Sequence, residues 1–331
     1  MKYYGKKLWL LLAASLLILA AVQAAQARPS RQQAPNPKVI GISFPGGTKQ
    51  AAVLHEFAAA QAEAKKLGYK LLINDPGTDT PKQVAVVETW IEQGVGTIIG
   101  QPLEPATMET VAKKARSAGI KWVTYANVMK NQDATLGFDH VYGGGLIGKA
   151  AGDWITKNLG GKAKVAILTF VKGSWARKRQ AGIEAALKKA APGAQIVARQ
   201  DALSETDGLS ATSSILQAHS DLNVVLAVEE TASEGAYQAF LNAGHKPNDP
   251  KVFLAGIDGT LRALHLLYQG NTMYRASAGL SLTGVGLGMV RLPARLWAGK
   301  KGDYIVPFQL LTPTKKALTA KYLADWGVKA K

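Results

Sequence analysis

The chain has 331 residues, of which 47% are hydrophobic and 19% are charged, and its formal net charge is +17. These values describe a globular protein long enough for two domains, and they exclude a largely disordered chain. The absence of cysteine excludes disulfides, zinc-thiolate sites, cysteine nucleophiles and lipoprotein attachment. The basic residues are scattered over helical segments such as "AEAKKLG" and "ALKKAAP", so we expect solvated surface and no nucleic-acid partner.

The N-terminal segment has the pattern of a secretion signal. Three lysines precede the apolar stretch "LWLLLAASLLILAAV", and "AQA" at 25–27 forms a small-x-small cleavage site. Because residues 1–27 carry three lysines and no acids, their removal lowers the formal charge from +17 to +14. We therefore expect a signal peptide at 1–27, a flexible linker at 28–37 and export to the periplasm. A retained membrane anchor is the alternative.

Short β-branched runs alternate with amphipathic helical segments from Lys38 onward. The strand-like runs are "KVIGIS", "YKLLIND", "GTIIG" and "KWVTYA". Such alternation predicts βαβ units and a parallel sheet covered by helices on both faces. In the segment "TPKQVAVVETWIEQG", Thr80 is expected to cap the helix, Pro81 to occupy its first turn and Gly94 to end it.

The same pattern restarts after a break at "NQDATLGFDHVYGGG" and continues with "KVAILTF", "AQIVAR", "NVVLAV" and "VFLAGI". Two blocks of similar length predict an α/β fold of two doubly wound parallel-sheet lobes with a cleft between them. One long sheet is the alternative.

Polar side chains follow several predicted strands, where a ligand crevice is expected in a parallel sheet. These residues are Asn127 after "VTYA", Trp175 and Arg177 in "VKGSWAR", Glu229 after "VLAV" and Asp258 at the end of "LAGID". An amide, an indole ring, a guanidinium and two carboxylates together suit a polyhydroxylated or otherwise hydrogen-bonding small molecule.

The segments "AEAKKLGYKLLIND", "IIGQPLEP", "SWARKRQAG", "VLAVEETASEGAYQAF" and "LAGIDGT", in this order, resemble the type I periplasmic binding proteins, in particular the ribose-binding branch that serves ABC importers. The resemblance implies a hinge that the chain crosses three times. It places residues 38–138 and 280–310 in the first lobe, and residues 139–279 and 311–331 in the second. It also implies a monomer without a cofactor that hands its ligand to an inner-membrane permease. An adaptor for a sensor kinase or chemoreceptor is the alternative.

The resemblance assigns roles to three residues of the second lobe. Arg177 corresponds to the family's arginine that binds sugar hydroxyls, and Asp258 corresponds to an acid that accepts them. Glu229 stands where relatives commonly have Asn. The extra acid favours a ligand rich in donors, with an amine-containing compound as the alternative to a sugar.

Other positions depart from the pattern of the ribose binders. Relatives carry two aromatic residues in the loop where this chain has Gly46 and Gly47, and Trp175 is expected to replace them. Asn127 lies where the family contacts ligand, but ribose binders have an Asp-Arg pair where this chain has Ala126 and Asn127, which disfavours ribose itself. Asp139, near a lobe crossing, corresponds to a family Asp and is also predicted to contact ligand.

Residue patterns typical of enzymes are missing from the sequence. The five histidines fall in separate segments without metal-ligand spacing, and neither a nucleophile elbow nor a phosphate-binding loop is present. We therefore expect a binding protein that has no catalytic residues and needs neither a metal nor a cofactor.

Overall fold

The computed structural model describes residues 33–330, so the predicted signal peptide and residues 28–32 of the predicted linker lie outside the described residues. Strand β1 begins at Asn36, two residues earlier than the pattern predicted, because the Asn36 N–H donates to Gly94 O at 2.8 Å. Within the described range, no helix is both long and apolar enough to span a bilayer.

The first lobe is built on a six-stranded parallel sheet with strand order β11-β5-β4-β3-β1-β2. Its strands are β1 Asn36–Ser43, β2 Lys70–Asn74, β3 Val95–Gly100, β4 Lys121–Tyr125, β5 Ala134–Gly137 and β11 Tyr304–Ile305. Its helices are α1 Ala51–Leu67, α2 Thr80–Glu92, α3 Pro105–Ser117 and α9 Leu282–Trp297. Strand β3 is buried at every position, as expected for a strand covered by helices on both faces.

The second lobe repeats this plan with strand order β12-β10-β9-β8-β6-β7, in which only β12 runs antiparallel to its neighbour among the described strands. Its strands are β6 Lys164–Thr169, β7 Gln195–Asp201, β8 Leu222–Ala227, β9 Phe253–Asp258, β10 Tyr274–Gly279 and β12 Gln309–Leu311. Its helices are α4 His140–Leu159, α5 Ser174–Ala190, α6 Glu205–Ala218, α7 Glu230–Asn242, α8 Leu261–Gln269 and α10 Lys316–Asp325. The predicted fold of two doubly wound lobes is confirmed.

Three segments connect the two sheets. The chain leaves the first sheet after β5, returns to the first lobe between β10 and α9, and leaves it again between β11 and β12. This third passage lies at 306–308, a few residues before the predicted boundary at 310, because Leu311 and Gln309 already pair with β10. Phe308, in this passage, is 1% exposed and belongs to an apolar cluster that reaches into both lobes.

The start of α2 differs from the prediction in its capping residue. The carboxylate of Asp79, not Thr80, accepts the Lys82 N–H at 2.9 Å, and Asp79 has the extended backbone of a cap. Gly94 follows the helix with φ of +65°, a conformation that glycine adopts without steric cost.

Helices α4 and α5 touch backbone to backbone beside the cleft. A Cβ atom on Gly144 would lie 1.9 Å from Arg179 O, and one on Gly182 would lie 2.0 Å from Val141 O. Only glycine permits so close an approach at these two positions. The contact fixes the N-terminal half of α5, and with it Arg179, against the start of α4.

Candidate functional site

A cavity of about 680 Å³ lies between the lobes, where the carboxyl ends of the strands of both sheets meet. The first lobe contributes a largely apolar wall, and the second lobe contributes charged groups. Of the residues predicted from sequence, four line this cavity: Asn127, Trp175, Glu229 and Asp258. Asn127, Glu229 and Asp258 reach it because each lies at or just beyond the carboxyl end of a strand.

Arg177 lies outside the cavity, and Arg179 occupies the place predicted for it. The exposed Arg177 guanidinium turns back to donate to Val171 O. Two residues further along α5 the side chain points about 200° around the helix axis, so the glycine-mediated packing of α5 on α4 directs Arg179 inward. The structure therefore moves the predicted arginine from Arg177 to Arg179.

Asp139 is also placed differently from the prediction. It is exposed and lies at the N-terminus of α4, where its carboxylate accepts the Tyr142 N–H at 2.9 Å. It does not line the cavity, although its neighbours Phe138 and His140 do. An aspartate at this position satisfies a free backbone donor of the helix, which accounts for Asp139 without a ligand.

The Arg179 guanidinium is the centre of the second-lobe wall, and it is 5% exposed. It forms a two-pronged pair with Asp258, with distances of 2.9 Å from Nη1 to Oδ2 and 2.7 Å from Nη2 to Oδ1. Nη1 also donates to Val228 O at 2.7 Å, and Nε donates to His140 Nδ1 at 3.3 Å. Four of its five N–H donors are thus used, and one on Nη2 has no partner among the described residues.

Aromatic rings hold the guanidinium in place. The Arg179 Cζ atom lies 5.0 Å from the centre of the Trp175 ring and 5.3 Å from that of Phe308, distances typical of cation–π contact. Burial lowers the pKa of Arg179, but the paired Asp258 more than offsets this, so the pKa is raised. Arg179 is therefore a fixed, permanently charged donor.

His140 is held neutral beside this arginine. Burial and the positive charge of Arg179 lower its pKa to about 4, so its Nδ1 accepts the Arg179 Nε–H. No sequence pattern pointed to His140. Across residues 33–330, no three or more His, Asp or Glu side chains are grouped to hold a metal ion.

Asp258 has an unusual backbone conformation, with φ of +126°, which costs a non-glycine residue on the order of 1–3 kcal/mol. A buried carboxyl group below the turn supports it. Glu230, fully buried, accepts from the Gly259 N–H, from Tyr274 OH at 2.6 Å and from Ser277 OH at 2.8 Å. Burial raises the pKa of Glu230 to about 7. Glu230 thus fixes the backbone of the turn after Asp258, while Arg179 holds the Asp258 carboxylate.

Glu229 is the second acid of this wall, and its side chain keeps 29% of its surface exposed to the cleft. Its Oε2 lies 3.9 Å from Arg179 Nη1. Burial and the neighbouring Asp258 carboxylate raise the pKa of Glu229 well above its ordinary value, against the opposing effect of Arg179. The raised pKa disfavours a second negative charge beside Asp258, while Arg179 and Asp258 give the wall one positive and one negative charge.

The first-lobe wall is aromatic, which the sequence did not predict. Phe44, Tyr125 and Phe138 form a continuous edge-to-face stack, with ring centres 4.9 Å apart for the first pair and 5.7 Å apart for the second. Phe44 precedes the glycines that suggested a missing aromatic platform. Its position directly after β1 was the available signal, because a strand end opens onto the cleft.

Two further residues were missed because they reach the cavity through tertiary contacts. Glu56 comes from the first turns of α1 and is 4% exposed. Trp326 follows α10, and its indole N–H donates to Gly259 O at 3.1 Å while its ring packs 5.5 Å from that of His55. Trp326 therefore belongs to the second lobe and contacts the first.

Comparisons with known proteins agree with this architecture. A family model described as a periplasmic binding protein domain matches residues 40–301. The ribose import binding protein RbsB of Bacillus subtilis is 31% identical over 208 residues, which cover 62% of this chain and 64% of that protein. RbsB of Salmonella typhimurium is 33% identical over 205 residues, which cover 61% and 66%. The chain thus spans slightly less than two thirds of the length of these curated relatives.

Longer matches and solved structures add to this. The galactofuranose-binding protein YtfQ of Escherichia coli is 29% identical over 277 residues, covering 81% of this chain and 83% of that protein. An ABC transporter solute binding protein from Mycobacterium smegmatis with bound glycerol superposes with a TM-score of 0.69 at 26% identity, covering 85% of this chain and 96% of that chain. One from Bacillus halodurans with bound myo-inositol, at 22% identity, shares the fold with a TM-score of 0.72 over 88% and 98% of the two chains.

Proposed function

The chain belongs to the periplasmic binding protein family, and from this premise we propose that it is a solute receptor for an ABC importer. It binds one small sugar or polyol between its lobes and delivers it to an inner-membrane permease. It is exported, acts as a monomer and catalyses no reaction.

One observation carries this proposal: the Arg179–Asp258 pair faces an aromatic wall across a cavity of about 680 Å³. A guanidinium N–H and the remaining lone pairs of a carboxylate can donate to and accept from neighbouring hydroxyls. Aromatic rings offer an apolar surface to the C–H faces of a sugar ring. The cavity volume suits a molecule of this size.

Binding works through closure of the two lobes. A ligand held by groups of both walls contacts them together only when the lobes are closed, so it shifts the equilibrium toward that state. The permease then recognises the closed receptor by its shape, which requires no chemical step.

Relatives support the ligand class. The matched proteins of Bacillus subtilis and Escherichia coli are named for ribose and galactofuranose, and the Mycobacterium smegmatis structure holds glycerol. All are uncharged polyhydroxyl compounds. The Arg179 and Asp258 charges already balance each other, so an amine is less well matched to this pair than a neutral ligand.

The test is thermal unfolding of residues 28–331 with a panel of sugars, polyols, amino sugars and amino acids. A ligand that binds only the folded state raises the unfolding midpoint. We expect uncharged polyhydroxyl compounds to raise it, and isothermal titration calorimetry to give one site per chain. Stabilisation by amino acids alone would contradict the ligand class. Deletion of the gene should abolish uptake of the ligand; lost induction with intact uptake would instead support a sensing adaptor.

A further inference from the structure

The first-lobe wall carries one buried acid, and the described part of the fold gives this acid a single hydrogen bond. Glu56, 4% exposed, lines the cavity from α1. Its Oε2 accepts from Tyr125 OH at 3.3 Å, while its Oε1 has no hydrogen-bond partner among the described residues. Because Glu56 lines the cavity, a ligand there can supply the partner that its Oε1 lacks.

The surroundings of Glu56 contain no compensating cation within the described chain. The groups that face it are the Tyr125 hydroxyl from β4 and, across the cavity, Asp258, Glu229, His140 and Arg179. Asp258 repels an ionised Glu56, and the Arg179 charge is already committed to Asp258. On the other side, α1 packs through the Glu56 backbone against Gly286 of α9, which brings no charge.

The charges of the whole cavity are consistent with a neutral Glu56. The ionisable side chains that line it are Glu56, Glu229 and Asp258 on the acidic side, with Arg179 and His140 on the basic side. His140 is neutral because its pKa is lowered to about 4, and the raised pKa of Glu229 disfavours its ionised form. With a neutral Glu56, the remaining Arg179 and Asp258 charges cancel. With an ionised Glu56, the cavity would carry an excess negative charge in a poorly solvated place.

We propose that Glu56 is a ligand-contacting residue that acts as a neutral carboxylic acid and restricts the cleft to uncharged polyhydroxyl ligands. Its carboxyl group, fixed by Tyr125, donates a hydrogen bond to a ligand hydroxyl on the side away from Arg179. The role of Glu56 rests on the proposed function, because it presupposes a polyhydroxyl ligand in the cleft.

The experiment compares wild type with Glu56→Gln, which keeps the shape but cannot ionise. Thermal unfolding first identifies a binding compound among D-ribose, D-galactose, myo-inositol, glycerol, D-glucosamine and D-gluconate. Calorimetry then gives its Kd for both proteins between pH 6 and pH 9. Burial raises the pKa of Glu56 to about 8, so we expect the ratio of wild-type to variant Kd to rise about 10-fold from pH 7 to pH 9.

The matched control is Glu63→Gln on the same helix. Glu63 is also buried, but it pairs with Arg291 at 2.7 Å and does not line the cavity. This control should leave the Kd and its pH dependence unchanged. Because Glu229 is present in both proteins, the ratio of the wild-type Kd to the Glu56→Gln Kd cancels its contribution.

The failures are distinguishable. A Kd ratio that does not change from pH 6 to pH 9 overturns the role of Glu56, but the proposed function as a sugar receptor still stands. Preferential binding of D-glucosamine or D-gluconate overturns the restriction to uncharged ligands. If no compound of the panel raises the midpoint, the proposed function fails. A ¹³C-carboxyl titration of the free protein then decides: a Glu56 midpoint near the ordinary glutamate value overturns the neutral acid, and one near 8 supports it.

Discussion

The two walls of the cleft are built on the same plan but have opposite polar character. In the second lobe, Arg179 uses four of its five donors within the protein, and Asp258 is held from both sides. In the first lobe, Phe44, Tyr125 and Phe138 form an aromatic stack interrupted by a single carboxyl group, Glu56. The second-lobe wall is an assembled charge network, and the first-lobe wall is largely apolar with one buried carboxyl group.

The difference separates two tasks that a receptor must perform. A charge network that is already satisfied without ligand requires little reorganisation when the ligand arrives, because its dipoles are fixed in advance. An apolar wall gains most when closure removes it from water. In the proposed receptor, we therefore expect the second lobe to orient the ligand and the first lobe to supply much of the favourable free energy of closure.

The largest effect on ligand binding should come from breaking the charge network with Arg179→Lys. Lysine keeps the positive charge but cannot form the two-pronged pair with Asp258. We expect the ligand Kd to rise about 100-fold, which corresponds to about 2.7 kcal/mol. Calorimetry with the compound identified in the thermal screen measures this change.

Arg177→Lys is the matched control, since it lies two residues away on the same helix and outside the cavity. It should change the Kd less than about twofold, as expected for an exposed surface residue. Equal losses in both variants would show that α5 as a whole, not the guanidinium of Arg179, supports binding.

An effect of similar size, on stability instead of binding, concerns the acid of the first-lobe wall. Burial raises the pKa of Glu56 to about 8, so the folded state holds its proton where the unfolded state has lost it. The free energy of unfolding of wild type should therefore fall, relative to Glu56→Gln, as the pH rises from about 4.5 to 8. The expected difference between pH 5 and pH 8 is about 3 kcal/mol.

Urea denaturation of both proteins at four pH values measures this slope. Glu63→Gln serves again as the control and should run parallel to wild type. A wild-type curve parallel to that of Glu56→Gln would mean that Glu56 ionises normally and that water reaches the first-lobe wall.

The smallest effect tests a residue that neither wall uses. Asp139→Ala removes the N-terminal cap of α4, which should lower the free energy of unfolding by about 1 kcal/mol. The Kd should stay unchanged because Asp139 does not line the cavity. Asp139→Asn, which can still cap, should restore the stability. A higher Kd in both variants would indicate that Asp139 contacts the ligand.

The sequence predicted the architecture well because hydrophobic periodicity and strand-helix alternation are local signals. It also brought Asn127, Glu229 and Asp258 to one place, since side chains at the carboxyl ends of parallel strands converge. Predicting that these three residues line the cleft required only that the end of each strand was located to within a residue or two.

The remaining site residues depend on packing that no local pattern encodes. Choosing Arg179 over Arg177 requires the rotation of α5 about its axis, and that rotation is set by its contact with α4. Glu56 lies on a helix among apolar neighbours, where periodicity predicts only a buried face. Trp326 reaches the cleft from the last turn of the described chain, more than 60 residues from its partner Gly259.

The contact of α4 with α5 has a consequence for how such a receptor can acquire a new ligand. Any side chain larger than hydrogen at Gly144 or Gly182 would collide with the opposing backbone, so mutations that shift Arg179 also threaten folding. Phe44 and Glu56 are buried as well, but each contacts Tyr125 through its side chain, and not through backbone as close as that of the two glycines. Selectable variation in ligand preference should therefore accumulate at side chains of the cavity walls before it reaches the contact of α4 with α5.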